Sequence, residues 1–405
     1  MKTKLIFSFI LLFFLIACSN TEEEIIELQS DDGFEQIADF LDQNDVLVLG
    51  ESTHGSEDID HLKLELIEYL NQHSNYNVLA LESSKAELNY YNSKANDLTP
   101  EIIQNEAVAD MFRRDSFNQL FEDVYSRSIE LEIQGINWQP VVYNNSHFNA
   151  YYSENIAKEI APYNEDSANS FLQNEYRIRE ISKDTVFIDG YNLPFDELNE
   201  IQTGYEKILS SEYFNELDES TREFIKNRIT ILDGPLSVDF AGQYDNADDD
   251  YYSRRGLGMF NNVSELVEDG NKVILWVHNF HILKNPSSVS YPNDEQGEYM
   301  AQEFNSLGLY LDQADFKTYM IGVYFNQANQ FDSLYFENED LEHITDENYL
   351  EGILSGYDKE KIFIDLDSAE WSKETLNSYH EGFIEQQFIP REQYDGIIYI
   401  DKIEN

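Results

Sequence analysis

The sequence predicts an α/β fold, a mainly parallel sheet flanked by helices with a large helical insertion forming a cap. Three observations predict it. Six short apolar runs have the length and near-continuous hydrophobicity of buried parallel strands: VLVLG (46–50), NVLALE (77–82), LEIQGIN (131–137), KVILWVHN (272–279), FKTYMIGVYF (316–325) and DGIIYID (395–401). Between the first two, SEDIDHLKLELIEYLNQ places Ile59, Leu62, Leu66 and Leu70 on one helical face, which makes a strand, helix, strand unit. From about 146 to 257 the strand signal disappears into long charged helical stretches such as FDELNEIQTGYEKIL, and strands of the same character resume afterwards.

Taken in order, the chain opens with MKTKLIFSFILLFFLIACSN, in which Lys2 and Lys4 precede an apolar stretch over residues 5–17 and then Cys18. That pattern is a secretory signal, and the apolar stretch is short for a bilayer span. Leu15-Ile16-Ala17-Cys18 resembles a bacterial lipobox, so residues 1–18 are expected to be signal and lipobox, with Cys18 the lipidated anchor of an exported cell-envelope protein. Residues 19–31 read as an acidic tether. Residues 32–405 are expected to form a single α/β domain, starting with the helix GFEQIADFLDQ, where Phe34, Ile37, Ala38 and Leu41 share a face.

Composition narrows the chemistry. Cys18 is the only cysteine, so with it used as an anchor no disulfide, thiol nucleophile or thiolate metal site remains. Hydrophobic residues make up 41% and aromatics 14%, enough for a core despite a net charge of −53 from 79 acidic and 26 basic side chains. Such a surface repels nucleic acid and anionic headgroups, so no nucleic-acid partner is expected. The same field raises histidine pKa values wherever local cations do not offset it.

The polar groups fall at strand ends. VLVLG runs into Glu51 and then His54; the second run ends in Glu82, the third in Asn137 and Trp138, the fourth in His278 with His281 beyond. In an open parallel sheet the ligand crevice lies outside the carboxyl ends of the strands, so these stretches converge. Each residue alone has an ordinary reading: Glu51 as a helix cap, His54 as a turn residue, Glu82 as a surface ion-pair partner, His278 as a core histidine. Together they make a candidate site.

The segments GESTHGSEDIDHLKLELIEYL, YNVLALE and VILWVHNFHILKN resemble the erythromycin esterase family, with its Gly-Glu-x-Thr-His opening, downstream strand-end glutamate and His-Asn-x-His motif. RRGLGMFNN (254–262) resembles the family's Arg-Asp-x-x-Met stretch, and PREQYDGIIYID (390–401) its closing strand. The resemblance implies that Glu51 is the essential glutamate and His54 the catalytic histidine, with Glu82, His278 and His281 completing the catalytic set. It also implies a metal-free site and a hydrolase of the class that includes macrolide inactivation and antibiotic resistance. Three positions depart from the family: Lys63 stands where several relatives carry arginine, Gly256 where aspartate follows Arg255, and Asn137 where aspartate is frequent.

Three mechanisms compete. A serine nucleophile needs Gly-x-Ser-x-Gly, and His54 occupies the place of the second glycine around Ser52. The preferred reading is general-base hydrolysis: His54, oriented by Glu51 or Glu82, activates water against an ester or lactone carbonyl, and Lys63, Arg255 or His281 steadies the oxyanion. Lys63, Arg255, Asn137 and Trp138 are the expected substrate-binding residues, with no metal and no cofactor. The alternatives are a metal-dependent hydrolase using the same carboxylates and imidazoles, or a lipoprotein that binds a small molecule or haem without turning it over.

Overall fold

The apolar runs assemble side by side. A computed structural model describes residues 25–29, 31–137, 151–185, 195–233, 251–292, 304–331, 339–380 and 384–404. Its strands are β1 (Ile25–Glu27), β2 (Val46–Leu49), β3 (Val78–Ser84), β4 (Glu132–Asn137), β5 (Val273–Trp276), β6 (Thr318–Phe331), β7 (Glu339–Leu341), β8 (Lys361–Asp365), β9 (Leu376–His380), β10 (Ile384–Phe388) and β11 (Gly396–Glu404). Nine of them form one sheet in the order β1-β8-β11-β6-β2-β5-β3-β4, with β7 on β6. The run from β11 to β4 is parallel throughout, as buried strands joined by helical crossovers must be. The edge beyond β11 is antiparallel, through β8 and β1, and β9 and β10 pair separately as a hairpin.

The described helices up to residue 268 are α1 (Asp31–Leu41), α2 (Glu57–His73), α3 (Lys85–Ser93), α4 (Pro100–Ala107), α5 (Asn118–Tyr125), α6 (Tyr151–Ile160), α7 (Glu165–Thr185), α8 (Phe195–Leu209), α9 (Glu219–Asp233) and α10 (Tyr251–Glu268), and three short ones follow at Leu307–Asp312, Leu350–Ser355 and Pro390–Gln393. Alternation along the central strands divides the interior into two cores. Leu47, Leu49, Leu79, Leu81, Ile274 and Trp276 point to the face covered by α2, against Leu62 and Leu66. Val46, Val48, Val78, Ala80, Val273 and Leu275 point the other way, against Met259 and Val263 of α10. No helix among the described residues is long and apolar enough to cross a membrane.

The helical insertion divides in two. Helices α6 to α9 pack on one another, and α9 packs on α3. That contact holds a buried ion cluster: Arg228 of α9 lies 2.5 Å from Glu87 of α3 and 3.0 Å from Glu175 of α7, while Tyr152 and Tyr205 donate to Glu175 at 2.8 and 2.5 Å. Helix α10 instead packs on β4 and β5, and it is through α10 that the insertion reaches the site. The sheet also begins earlier than the tether reading placed it, since Ile25–Glu27 pairs antiparallel with β8 inside the 19–31 segment. The lipobox and Cys18 lie outside the described residues.

Candidate active site

The first half of the site is built where β2 ends. Gly50 donates its N–H to Ile321 O at 2.8 Å, and a Cβ there would lie 2.0 Å from Asn279 Oδ1, so the position admits only glycine without movement. Glu51 continues the alternation of Leu47 and Leu49 and so points to the α2 face. There its Oε1 accepts from His54 Nδ1 at 2.6 Å, and its Oε2 accepts from Lys63 Nζ at 3.0 Å and from Trp276 Nε1 at 2.7 Å. Glu51 does not cap α2; Ser56 does, its hydroxyl accepting from Ile59 N. Burial alone would raise Glu51, but the Lys63 charge, the His54 contact and the Trp276 N–H outweigh it and bring the carboxyl down to about 2.

Lys63 faces inward. It is 0% exposed, donates also to Gly50 O at 3.0 Å, and lies 3.8 Å above the Trp276 ring. With its ammonium enclosed in this way, it supports Glu51 and does not reach a ligand, which departs from the substrate-binding and oxyanion roles expected of it. Burial pulls its pKa down to about 8 against the attraction of Glu51. One turn earlier Asp60 receives the Ser116 hydroxyl at 2.7 Å and pairs with Arg114, and burial still pushes it up to about 7. Asp60, Arg114 and Ser116 carried no strand-end signal in the sequence.

The second half hangs on Glu82, which has the parity of Val78 and Ala80 and so lies on the α10 face. A register shift between β3 and β4 falls at this point, the kind of bulge that re-aims a side chain. Glu82 Oε1 accepts from Arg255 Nη2 at 2.7 Å and lies 3.1 Å from His281 Nε2, while Oε2 accepts from the His278 backbone N–H at 3.0 Å. Arg255 Nε also donates to Asn137 Oδ1 at 3.2 Å. Burial would raise Glu82, yet His281, Arg255 and His54 hold it well below the usual carboxylate range. Burial pulls His281 down to about 4, outweighing Glu82 and acting with Arg255.

The halves meet at two imidazoles, with the His54 and His278 ring centroids 4.8 Å apart. His278 caps the 3-10 turn Asn279–Ile282, its Nδ1 accepting from Phe280 N at 3.1 Å, which places the proton of the neutral ring on Nε2. Asn279 ties the turn down: its N–H donates to Glu51 O, and its side chain exchanges two hydrogen bonds with the Val323 backbone. Ser52 turns aside into a narrow crevice lined by Phe280, Tyr324 and Tyr394, and its hydroxyl has no hydrogen-bond partner among the described residues, so His54 does not activate it.

Glu51, His54, Lys63, Glu82, Asn137, Arg255, His278 and His281 thus come together, whereas Trp138 lies outside the described residues. Glu51, not Glu82, is the carboxylate on His54. Gly256 has a packing reason for its departure from aspartate, because a Cβ there would lie 2.6 Å from Asn305 O. Trp276 could be read as a site residue from its parity with Glu51 across neighbouring strands, a signal that its place in an apolar run obscured.

The family model for Erythromycin esterase matches residues 210–403, a span that holds Arg255, His278 and His281. YbfO of Bacillus subtilis (strain 168), a protein named as a hydrolase, is 22% identical, with 88% of this chain and 83% of that protein covered. A Bacillus cereus protein of known structure superposes with a TM-score of 0.64 at 15% identity, covering 94% of this chain and 95% of its own. A variant of the erythromycin esterase EreC, in its open conformation, superposes with a TM-score of 0.60 at 14% identity, covering 94% and 98%. At these identities the two structures speak for the fold.

Proposed function

Because this chain is an erythromycin esterase-like hydrolase, we propose that it cleaves a carboxylic ester or lactone with His54 as the general base and without a metal. The observation that carries the reading is the 2.6 Å contact between His54 Nδ1 and Glu51 Oε1. A carboxylate on Nδ1 keeps the proton there and leaves the lone pair of the neutral ring on Nε2. That nitrogen takes a proton from water as the water oxygen bonds to the carbonyl carbon. The tetrahedral oxyanion then collapses, the C–O bond breaks, and the imidazolium returns its proton to the leaving alkoxide, giving an acid and an alcohol, or a hydroxy acid from a lactone.

Oxyanion stabilisation passes to groups other than Lys63. The Nε2–H of His278, on the ring facing His54, and the guanidinium of Arg255 are the donors whose positions suit it. The metal-free reading is supported by how the carboxylates are used. Both oxygens of Glu51 and both of Glu82 already accept from N–H donors, which opposes their serving as metal ligands. Macrolides are one candidate within the ester and lactone class, and the exported, lipid-anchored location at Cys18 is part of the same proposal.

Purified protein incubated with a panel of esters, lactones and macrolides, with and without chelator, should yield products one water heavier by mass spectrometry. His54→Ala should lower turnover by at least about a hundredfold, in the range expected for loss of a general base. Product formation surviving in that variant, or vanishing with chelator alone, would overturn the mechanism.

A further inference from the structure

We propose that Trp276 is a positioning residue for the reaction: its indole N–H anchors one oxygen of Glu51 so that the other is aimed at His54. This rests on the reading of His54 as the base. Trp276 closes β5 directly beside Leu49 in the parallel register, on the same face as Glu51. Its Nε1 donates to Glu51 Oε2 at 2.7 Å, the oxygen that also takes Lys63 Nζ at 3.0 Å, while Oε1 is left to His54 at 2.6 Å. The two carboxylate oxygens therefore have separate tasks, one anchored and one working.

The ring itself is wedged. It is 1% exposed, with Phe117 at 5.0 Å and Phe112 at 6.0 Å between centroids, and Lys63 Nζ stands over its face at 3.8 Å. A tilt of the indole would carry the N–H off Glu51 and the face from under Lys63 together, so one side chain sets both contacts on Oε2. The two contacts differ in one respect that matters. Lys63 is an acid that titrates, whereas an indole N–H remains a donor over the working range. Trp276 is the part of the clamp that does not depend on pH.

The charged groups facing Glu51 are His54 on its own loop and Lys63 and Asp60 on α2, with Arg114 behind Asp60; Glu82 and His278 lie beyond His54. None of them is altered by Trp276→Phe, which leaves an aromatic ring at the position, removes the donor and opens a cavity where the second ring stood. The expected result is a fall in kcat of roughly tenfold to a hundredfold, the scale of a misaimed catalytic group, with KM within about twofold. Turnover above pH 8 should collapse more steeply than in the parent, since Glu51 then depends on Lys63 alone. The titration of His54, followed by NMR on histidine-labelled protein, should move to higher pH because a less satisfied carboxylate attracts the imidazolium more strongly.

The NMR titration needs no substrate, so it separates failure of this assignment from failure of the hydrolytic reading. If the phenylalanine variant does not fold, replacing tryptophan with benzothienylalanine keeps the shape and puts sulfur where the N–H stands. Lower thermal stability with an unchanged pH profile and an unchanged His54 titration would show Trp276 to be packing only, and would overturn the proposal.

Discussion

At the scale of single residues, Lys63 is the departure with a measurable consequence. Its cation clamps Glu51 below about pH 8 and is lost above it, so turnover should decline on the alkaline side from that point. Lys63→Arg keeps the charge at any working pH and should carry the plateau at least about one pH unit higher, read from the pH dependence of kcat. An unmoved alkaline limb would show that Lys63 does not set it. The sequence made Glu51, His54, Glu82, His278 and His281 legible because each is a polar group placed where an apolar run stops. It could not show which carboxylate serves which histidine, because that depends on side-chain parity. Glu51 follows Leu49 toward α2, while Glu82 follows Ala80 toward α10. Trp276, Asp60 and Arg114 sit inside an apolar run, a helix face and a loop, where nothing local sets them apart.

At the scale of elements, the parallel strands were legible and the antiparallel ones were not. Strands β2, β3 and β5 are buried at every position and, like the first halves of β6 and β11, read as near-continuous apolar runs, whereas KIFID, LNSYH and IEQQF mix polar and apolar residues over five positions and depend on their partners to become strands. The insertion was legible as helical, but its attachment was not. The ion cluster of Arg228, Glu87 and Glu175 joins α9 and α7 to α3, and α3 follows directly from the strand that carries Glu82. Arg228→Met would leave two buried carboxylates without their shared cation, which should cost about 3–5 kcal/mol in urea unfolding. A loss below about 1 kcal/mol would mean that Arg179, which reaches the Glu175 backbone carbonyl, already compensates.

At the scale of the whole molecule, the charge of −53 and the proposed N-terminal signal bear on where the protein works. If Cys18 carries a lipid, the expressed protein should incorporate labelled palmitate and partition with membranes, and Cys18→Ser should abolish the label and release the protein to the soluble fraction. Label retained in that variant would exclude Cys18 as the site. The division of the interior into two cores has a different reach. The proposed base and its clamp rest on the α2 core, the second carboxylate and Arg255 on the α10 core, and the histidine pair meets across the seam, with the Asn279 N–H on Glu51 O beside it. On the proposed mechanism catalytic competence is a joint property of the two faces of one sheet, so loosening the packing on either face should lower activity. Heat inactivation should then set in before the chain as a whole unfolds, as read by comparing residual activity with circular dichroism along one temperature ramp.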